Sequence, residues 1–450
     1  MAICGTPDFA DRVTANELPP LVPAKAGTQI GVIDWIPAYA GMSGREVDLT
    51  DLNTAAAVRE RCAMVHRWVA EGRSPHFTLE EARLPAVAGY VAEVTREAYP
   101  DLKIPCHSRW RHFATGGVDR WGELAARIDA DALERARMAA DLATVSVLLD
   151  AGAGDRWRYR EPTTGLSFAR SEGLAVASFH MFRAGAFSSD PDRPWRVDSS
   201  ALATIDAAKL AQHFQVAPTN PLVGLDERAA LLRRLGKALA AHTDLFGRED
   251  ARPGNLVDHF LANVSDRRLS AARLLATLLE SLSTIWPCPL MVHGYAIGDA
   301  ARHPAARTPN DPEGVVPFHK LSQWLAYSLI EPLEAAGIAV DGLGDLTALA
   351  EYRNGGLLVD LGVIRPRAPI DPAVRHKVSS ELIVEWRALT VALLDALLDL
   401  VRAKLGLDES FAMPQLLQGG TWSAGRKIAR ALRPPDGPSP IGIAADGTVF

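Results

Sequence analysis

A histidine, a lysine, a glutamine, a tryptophan and a tyrosine fall at positions 319, 320, 323, 324 and 327, in a stretch that otherwise has the apolar spacing of a buried helix. Leu321, Leu325 and Leu329 recur every four residues and mark the apolar face. Lys320, Gln323, Trp324 and Tyr327 follow the same period and share another face. A solvated face would carry several flexible charges, and this one carries a single ammonium. Two aromatics, an amide and one lysine are the lining of a polar pocket. The competing reading is a core helix whose one lysine snorkels.

Four further clusters combine polar chemistry with an unusual setting. His107, Ser108, Arg109, Trp110, Arg111, His112 and Phe113 run together. Arginine forks grip phosphate or carboxylate, and a tryptophan can hold a sugar or base face; a structural arginine–carboxylate network is the alternative. Arg170, Ser171 and Glu172 precede an apolar run. There Ser171 can cap a helix and Glu172 suits its positive end, which leaves Arg170 unexplained. Glu351, Tyr352, Arg353 and Asn354 lead into Gly355 and Gly356, with a strand-like run 357–363 and Asp360 beyond. A carboxylate beside a backbone break is placed to face a pocket, although a plain helix C-terminus stopped at Gly355 fits too. Near the end, Gly419 and Gly420 precede Trp422, Arg426 and Lys427. This pattern places a tryptophan at a helix start rich in N–H donors, a potential anion site.

Common nucleotide and hydrolase fingerprints fail. Gly152 and Gly154 lack the third glycine of a dinucleotide loop, and no Walker loop, HExxH or GxSxG occurs.

The elements that must position these clusters are mostly helical. Thr54 caps a helix through Val58, Cys62, Val65 and Val69 that stops at Gly72. Residues 84–99, 125–149, 202–214, 226–241, 269–285, 321–333 and 382–405 continue the pattern. Strands are expected only at 156–159, near 165–168 and at 357–363. The fold class is therefore mainly α: a large helical single domain over residues 46–432 with a small β-sheet, a two-lobed arrangement remaining open. Residues 1–45, with Pro-Ala-Xaa-Ala-Gly echoed at 23–27 and 37–41, are expected to be a disordered leader, the natural start then falling at Met42. Residues 433–450 form a Pro/Gly-rich C-terminal tail.

Composition excludes several classes. A net charge of -6 with interspersed signs offers no basic stripe for nucleic acid. Cys4, Cys62, Cys106 and Cys288 are far apart and make neither a zinc pattern nor a disulfide framework, so a reducing, cytoplasmic setting is expected. The most apolar run, 389–401, is shorter than a bilayer span and contains Asp395 and Asp399, so no membrane partner is expected.

Taken in order, these clusters resemble the uracil catabolism protein 4 family. The matching stretches are 108–113, 146–154, 170–173, 187–191, 317–333, 351–357 and 419–425, within a span from about Ala55 to Arg430. The resemblance implies a place in the pathway that opens the uracil ring and releases urea, with ribosylurea species as intermediates. A fainter similarity is to queuosine 5′-phosphate N-glycosylases, through Lys320 and Gln323 and then Ala350, Glu351, Tyr352 and Arg353. Those enzymes carry aspartate where this chain has Glu351; a glycosylase-like helical fold is the expectation that follows.

The reading these residues support is hydrolysis of an N-ribosidic bond in a ribosylurea or its 5′-phosphate. Glu351 stabilises the oxocarbenium-like sugar and steers water, Lys320 and His319 protonate the departing ureido group, and Gln323 orients it. Arg109, Arg111 or Arg170 holds a 5′-phosphate, and Trp110 or Trp324 walls the pocket. Tyr327, Tyr352, Arg353, Asn354, Glu172, Asp360 and Trp422 complete the expected substrate-binding set. The expected partner is a small nucleoside- or nucleotide-derived molecule, and no metal or other cofactor is signalled. A non-catalytic binding or regulatory protein with the same pocket is the alternative, followed by metal-assisted ureide hydrolysis.

Overall fold

The computed structural model describes residues 52–249, 251–287, 290–371 and 373–444, and the expected leader 1–45 with Met42 lies outside them. In chain order the main helices begin with α1 (Ala55–Ala70), α2 (Leu84–Ala98), α3 (Arg109–Phe113), α4 (Ala132–Leu148) and α5 (Arg170–Arg183). They continue with α6 (Leu225–Ala241), α7 (Ala271–Leu282), α8 (Lys320–Ala335), α9 (Tyr352–Asp360), α10 (Glu381–Leu405) and α11 (Trp422–Leu432). The mainly α class holds. One large apolar cluster runs through the described residues from Ala55 to Ile441, so these helices share a core and do not split into lobes.

Local chemistry explains the helix starts. Thr54 takes the Ala57 N–H on its hydroxyl at 3.1 Å, as an N-cap should. From there α1 buries Val58, Cys62, Val65 and Val69 on one stripe and packs it against α10. The pairing of α4 with α8 forms the other main contact. Helix α10 is buried along most of its length, which is why its sequence is apolar nearly all round.

The small β content takes the form of separate two-stranded pairs. Of these, Tyr159–Arg160 with Ser167–Phe168 lies close to the expected strands. The region 202–214 breaks into two short helices, because the Asp206 carboxylate accepts the Lys209 N–H at 2.8 Å and starts a new one. The strand-like run 357–363 is largely helix: Leu357, Leu358 and Val359 belong to α9, whose apolar face is buried by α10 and α11.

Gly355 and Gly356 lie inside α9 and stop nothing. Their smallness lets helices approach. A Cβ on Gly355 would sit 2.6 Å from the Thr390 hydroxyl and 2.7 Å from the Trp386 indole nitrogen of α10. The expected helix start at Trp422 also fails, because the chain enters α11 from Met413–Leu416 through a π-turn at Leu417–Thr421. Its N–H groups therefore belong to a continuing helix, and Gly420 serves contact with α2, where a Cβ would lie 2.5 Å from Val91 Cγ1.

Two glycine substitutions separate packing from propensity. At Gly89, inside α2, an added Cβ would meet nothing within 4 Å, so Gly89→Ala should stabilise by up to ~1 kcal/mol. Gly355→Ala gains the same propensity but must overpack the α9–α10 seam, at a cost of about 1–3 kcal/mol. Chemical denaturation of both variants should show opposite signs; a Gly355→Ala protein as stable as the parent would refute the close-approach role.

Candidate active site

Lys320 and Glu351, separated by 31 positions in sequence, are fixed by one buried arginine. Helix α8 begins at Lys320 after His319, which adopts a left-handed conformation with φ 49°. Asp299 supplies the cap: one carboxylate oxygen accepts the Lys320 N–H at 3.0 Å. Its carbonyl accepts the N–H groups of Phe318 at 2.9 Å and His319 at 3.1 Å. Arg387, on α10, donates to both Asp299 oxygens at 3.0 and 2.8 Å and, at 3.4 Å, to the carbonyl of Ala350. The residue after Ala350 is Glu351.

Glu351 is the N-cap of α9. Its two carboxylate oxygens accept the N–H groups of Arg353 at 2.7 Å and Asn354 at 2.6 Å. A helix start thus replaces the expected backbone break, and the helix C-terminus reading is overturned with it. The clamp fixes the carboxylate while leaving each oxygen a second acceptor site.

These two residues share a cavity of about 220 Å³ with Arg170, Ser171, Glu172, Tyr352, Arg353, Trp422, Arg426 and Ser439. Drug-sized sites run to ~300–1,000 Å³, so this cavity is small by that measure. Its ionisable lining comprises four cations and two carboxylates, an excess of positive charge. A wider surface hollow of about 440 Å³ around Leu102, Ile104, Pro105 and Phe411 contributes one lysine and no carboxylate, so it lacks the groups for this chemistry.

Enclosure sets the proton affinities. Glu351 and Lys320 keep a face on the cavity but are surrounded by protein. Burial pushes the Glu351 carboxyl above its ordinary 4.5, against the Arg353 N–H and the Lys320 charge. Burial pushes the Lys320 ammonium below its ordinary 10.5, against the pull of Glu351. Lys320 also lies 5.9 Å from the centre of the Tyr352 ring. Burial works to raise Glu172 as well, yet the charge and hydrogen bond of Arg426 hold it below 4.5. Arg426 bonds Glu172 at 2.7 Å and lies 4.4 Å over the Trp422 ring.

Of the expected site residues, Lys320, Glu351, Tyr352, Arg353, Arg170, Glu172 and Trp422 line the cavity. The others do not. Gln323 is fully buried; its carbonyl oxygen accepts the Thr347 N–H at 3.0 Å and hydroxyl at 2.9 Å, and its NH₂ donates to the Phe318 carbonyl. Tyr327 is equally buried and donates to the Thr347 carbonyl at 2.9 Å. On the face inferred from periodicity, Gln323 and Tyr327 thus secure Thr347 and do not reach the cavity. His319 is buried with Nε2 on the Leu52 carbonyl at 3.0 Å, so it contacts backbone in place of ligand.

The arginine cluster at 107–113 is a structural network. Arg109 is completely buried and pairs with Asp150 at 2.9 Å. Arg111 pairs with Glu331 at 2.6 Å, and the Trp110 indole donates to the Ser328 carbonyl. Trp324 is buried against His107, with rings stacked at 6.0 Å, and against His112. Burial and then Arg109 push His112 down to about 4, so it is neutral at ordinary pH. Asn354 is buried behind its own helix turn, and Asp360 is held at both oxygens by Arg433, at 2.8 and 2.6 Å.

Ser171, Arg426, Ser439, Asp299 and Arg387 were not assigned to the site by the sequence. Ser171 is no N-cap, since Ala169 holds that position and the Ser171 hydroxyl donates to Asp150 at 2.7 Å. Arg426 had a legible signal, its spacing of four from Trp422. Ser439 had none: residues 436–439 come from the expected tail, which folds back over the site. The Gly437 carbonyl accepts Arg353 Nη1 at 3.0 Å, and Ile441 is fully buried.

A separate cluster, His303, Glu381 and Glu385, has ligand atoms within 4.8 Å of one another. His303 Nδ1 accepts the Ala305 N–H at 3.1 Å, which places the ring proton on Nε2, the atom facing Glu385 at 3.3 Å. A ligating nitrogen needs that lone pair free. The arrangement fits a hydrogen bond better than a metal ligand set.

The candidate site is thus a small, partly open, cation-rich cavity in an α-helical domain. The chain belongs to the family described as protein of unknown function (DUF1688), which it matches over residues 51–450. It is 41% identical over 383 residues to protein urg3 of Schizosaccharomyces pombe, covering 83% of this chain and 92% of that protein. It is 36% identical over 432 residues to uracil catabolism protein 4 of Lachancea kluyveri, covering 88% and 97%. A queuosine 5′-phosphate N-glycosylase/hydrolase of Sphaerobacter thermophilus shares 28% identity over 169 residues, 37% of this chain and 42% of that one.

The placement of Gln323 is testable. Gln323→Leu strands the buried Thr347 N–H, while the Thr347 hydroxyl keeps the Ala348 carbonyl at 3.1 Å, and should destabilise the fold by about 1–3 kcal/mol while leaving ligand affinity per folded molecule unchanged. Urea unfolding measures the first and calorimetric titration the second. A stable variant with weakened binding would return Gln323 to the ligand.

Proposed function

We propose that this protein acts in uracil catabolism as a hydrolase of the N-ribosidic bond in a ribosylurea or its 5′-phosphate, releasing urea. The relative named for uracil catabolism supports the pathway. The observation that supports the chemistry is the carboxylate of Glu351, clamped by two N–H groups and facing a cavity shared with Lys320.

In this reading the bond from the sugar C1′ to the ureido nitrogen lengthens first, and positive charge develops on the ring. Glu351 lies where it stabilises that charge, and it then accepts a proton as water adds to C1′. The departing nitrogen needs a proton to leave as neutral urea. Lys320 supplies it, its affinity already lowered by burial. The proton taken up at Glu351 balances the one Lys320 gives, and exchange with solvent restores both. Tyr352 Oη, buried and without a hydrogen-bond partner among the described residues, is available to the ureido oxygen in place of Gln323.

One observation favours the binding-protein alternative: capping α9 by itself explains why Glu351 is there. The two readings part on charge. Glu351→Gln retains one cap acceptor and the side-chain shape but loses the negative charge. It should lower single-turnover cleavage of ribosylurea 5′-phosphate about a hundredfold, with substrate affinity changed far less. The pH profile should narrow from both sides. Glu351 must be ionised, so the acid limb lies above 4.5; Lys320 must be protonated, so the alkaline limb lies below 10.5. Urea and ribose 5-phosphate are the products to assay. A folded Glu351→Gln protein with the parent's rate would reduce Glu351 to a helix cap.

A further inference from the structure

Three guanidinium groups converge on the cavity from three elements: Arg170 at the start of α5, Arg353 in the first turn of α9, and Arg426 on α11. Only Arg426 has a carboxylate partner, Glu172. Arg353 is held by the Gly437 carbonyl, and Arg170 reaches the Asp436 carbonyl at 3.4 Å. Neither makes an ion pair among the described residues. Burial and mutual repulsion destabilise this cluster: Arg170 is disfavoured by burial and then by Arg426, and Arg353 by burial and then, despite Glu351, by Arg426 and Arg170. Charges assembled against their own repulsion, in a partly dry site, require an anion to offset them.

Three further observations point the same way. Helix α5 starts without a side-chain cap, so its positive end faces the site. Arg170 itself holds a left-handed backbone at φ 53°, strain of a kind that persists where surroundings enforce it. The Ser439 hydroxyl, contributed by the segment whose carbonyls hold the arginines, is buried and has no partner among the described residues.

We infer that Arg170, Arg353 and Arg426, with Ser439 and the start of α5, form a subsite for the dianionic phosphate of a sugar 5-phosphate. A phosphate monoester has three terminal oxygens for three guanidinium forks, and its charge matches the excess on the cavity lining. A carboxylate, with two oxygens and one charge, would leave one arginine unmatched. The inference deepens the function proposed above in one respect: it commits the substrate to the phosphorylated form and leaves Glu351 and Lys320 for the sugar's anomeric end.

The subsite can be tested without turnover, by calorimetric titration of the full chain with ribose 5-phosphate, ribose and inorganic phosphate. Ribose 5-phosphate should bind at least about tenfold tighter than either of the others, because a charge-assisted hydrogen bond contributes more than a tenfold change in affinity. Arg170→Gln should lose about tenfold in ribose 5-phosphate affinity, and so should Arg426→Lys, which keeps the charge but not the fork. Both proteins should keep the parent's melting temperature, Arg170 because its one hydrogen bond is long, Arg426→Lys because a cation still faces Glu172. Equal affinity for ribose and ribose 5-phosphate overturns the proposal, as does parental affinity in both variants. Inorganic phosphate binding as tightly as the sugar phosphate would assign the site to a free anion and overturn it too. A protein that binds ribose 5-phosphate as described yet leaves ribosylurea 5′-phosphate intact supports the subsite and removes only the hydrolase reading.

Discussion

The buried pair of Arg387 and Asp299 is the contact on which the site depends. Asp299 caps the helix that carries Lys320, and Arg387 joins that cap to the carbonyl just before Glu351. The guanidinium also lies 4.0 Å over the Phe318 ring, which fills the space beside it. A buried ion pair is rarely a large net source of stability, because two charges must leave water. Its value here is geometric. With both Asp299 oxygens engaged, the start of α8 and the start of α9 cannot shift independently, and Lys320 and Glu351 keep their spacing. Breaking one partner would leave the other charged and buried, so cost and geometry act together.

Around that fixed pair the site is assembled from helix beginnings. Arg170 to Glu172 open α5, Lys320 opens α8, and Glu351 to Arg353 open α9. Helix N-termini gather positive potential, and three arginines add to it. The same field that suits an anion also sets these cations against one another. The segment 436–439 moderates this by offering carbonyls to two arginines, a neutral partner that does not consume their charge. Arg433, bound to Asp360 and to the Pro438 carbonyl, holds that segment in place. Asp360, expected as a ligand contact, thus acts on the site through the wall it anchors.

How far the sequence disclosed this differs by scale. Long helices were legible because their apolar period is unbroken, as in α1, α8 and α10. The segment containing Lys320 and the one containing Glu351 were both recognised as chemical, since each combines polar groups with an apolar frame. Which side of each helix met the cavity was not legible. Gln323 and Tyr327 share a face with Lys320, and periodicity cannot reveal that the 347–350 segment occupies it. Gly355 and Gly356 read as a break because glycine in isolation is a helix stopper, whereas here Gly355 makes room for Trp386 and Thr390 on α10 and Gly356 faces Pro440. The arginines of 107–113 resembled ligand forks because their carboxylates, Asp150 and Glu331, lie far along the chain. Asp299 and Arg387 gave no local sign at all; each is informative only beside the other.

The residue that caps α9 is itself unusual. Asp, Asn, Ser and Thr are the usual N-caps, and Glu is not among them. A shorter carboxylate would cap α9 as well or better while sitting closer to the backbone. The extra methylene of Glu351 moves its charge outward from the helix end, toward the cavity that holds Lys320. Capping alone does not call for that extension; under the proposed function, a charge that must reach a sugar ring does. The comparison with aspartate then becomes a measure of the two roles. Glu351→Asp should keep or raise the stability of α9 and retract the charge by one methylene, so its effect on rate reports reach separately from capping. A substitution that stabilises the helix yet slows cleavage would mean that this position has been fitted to the ligand at some expense to the fold.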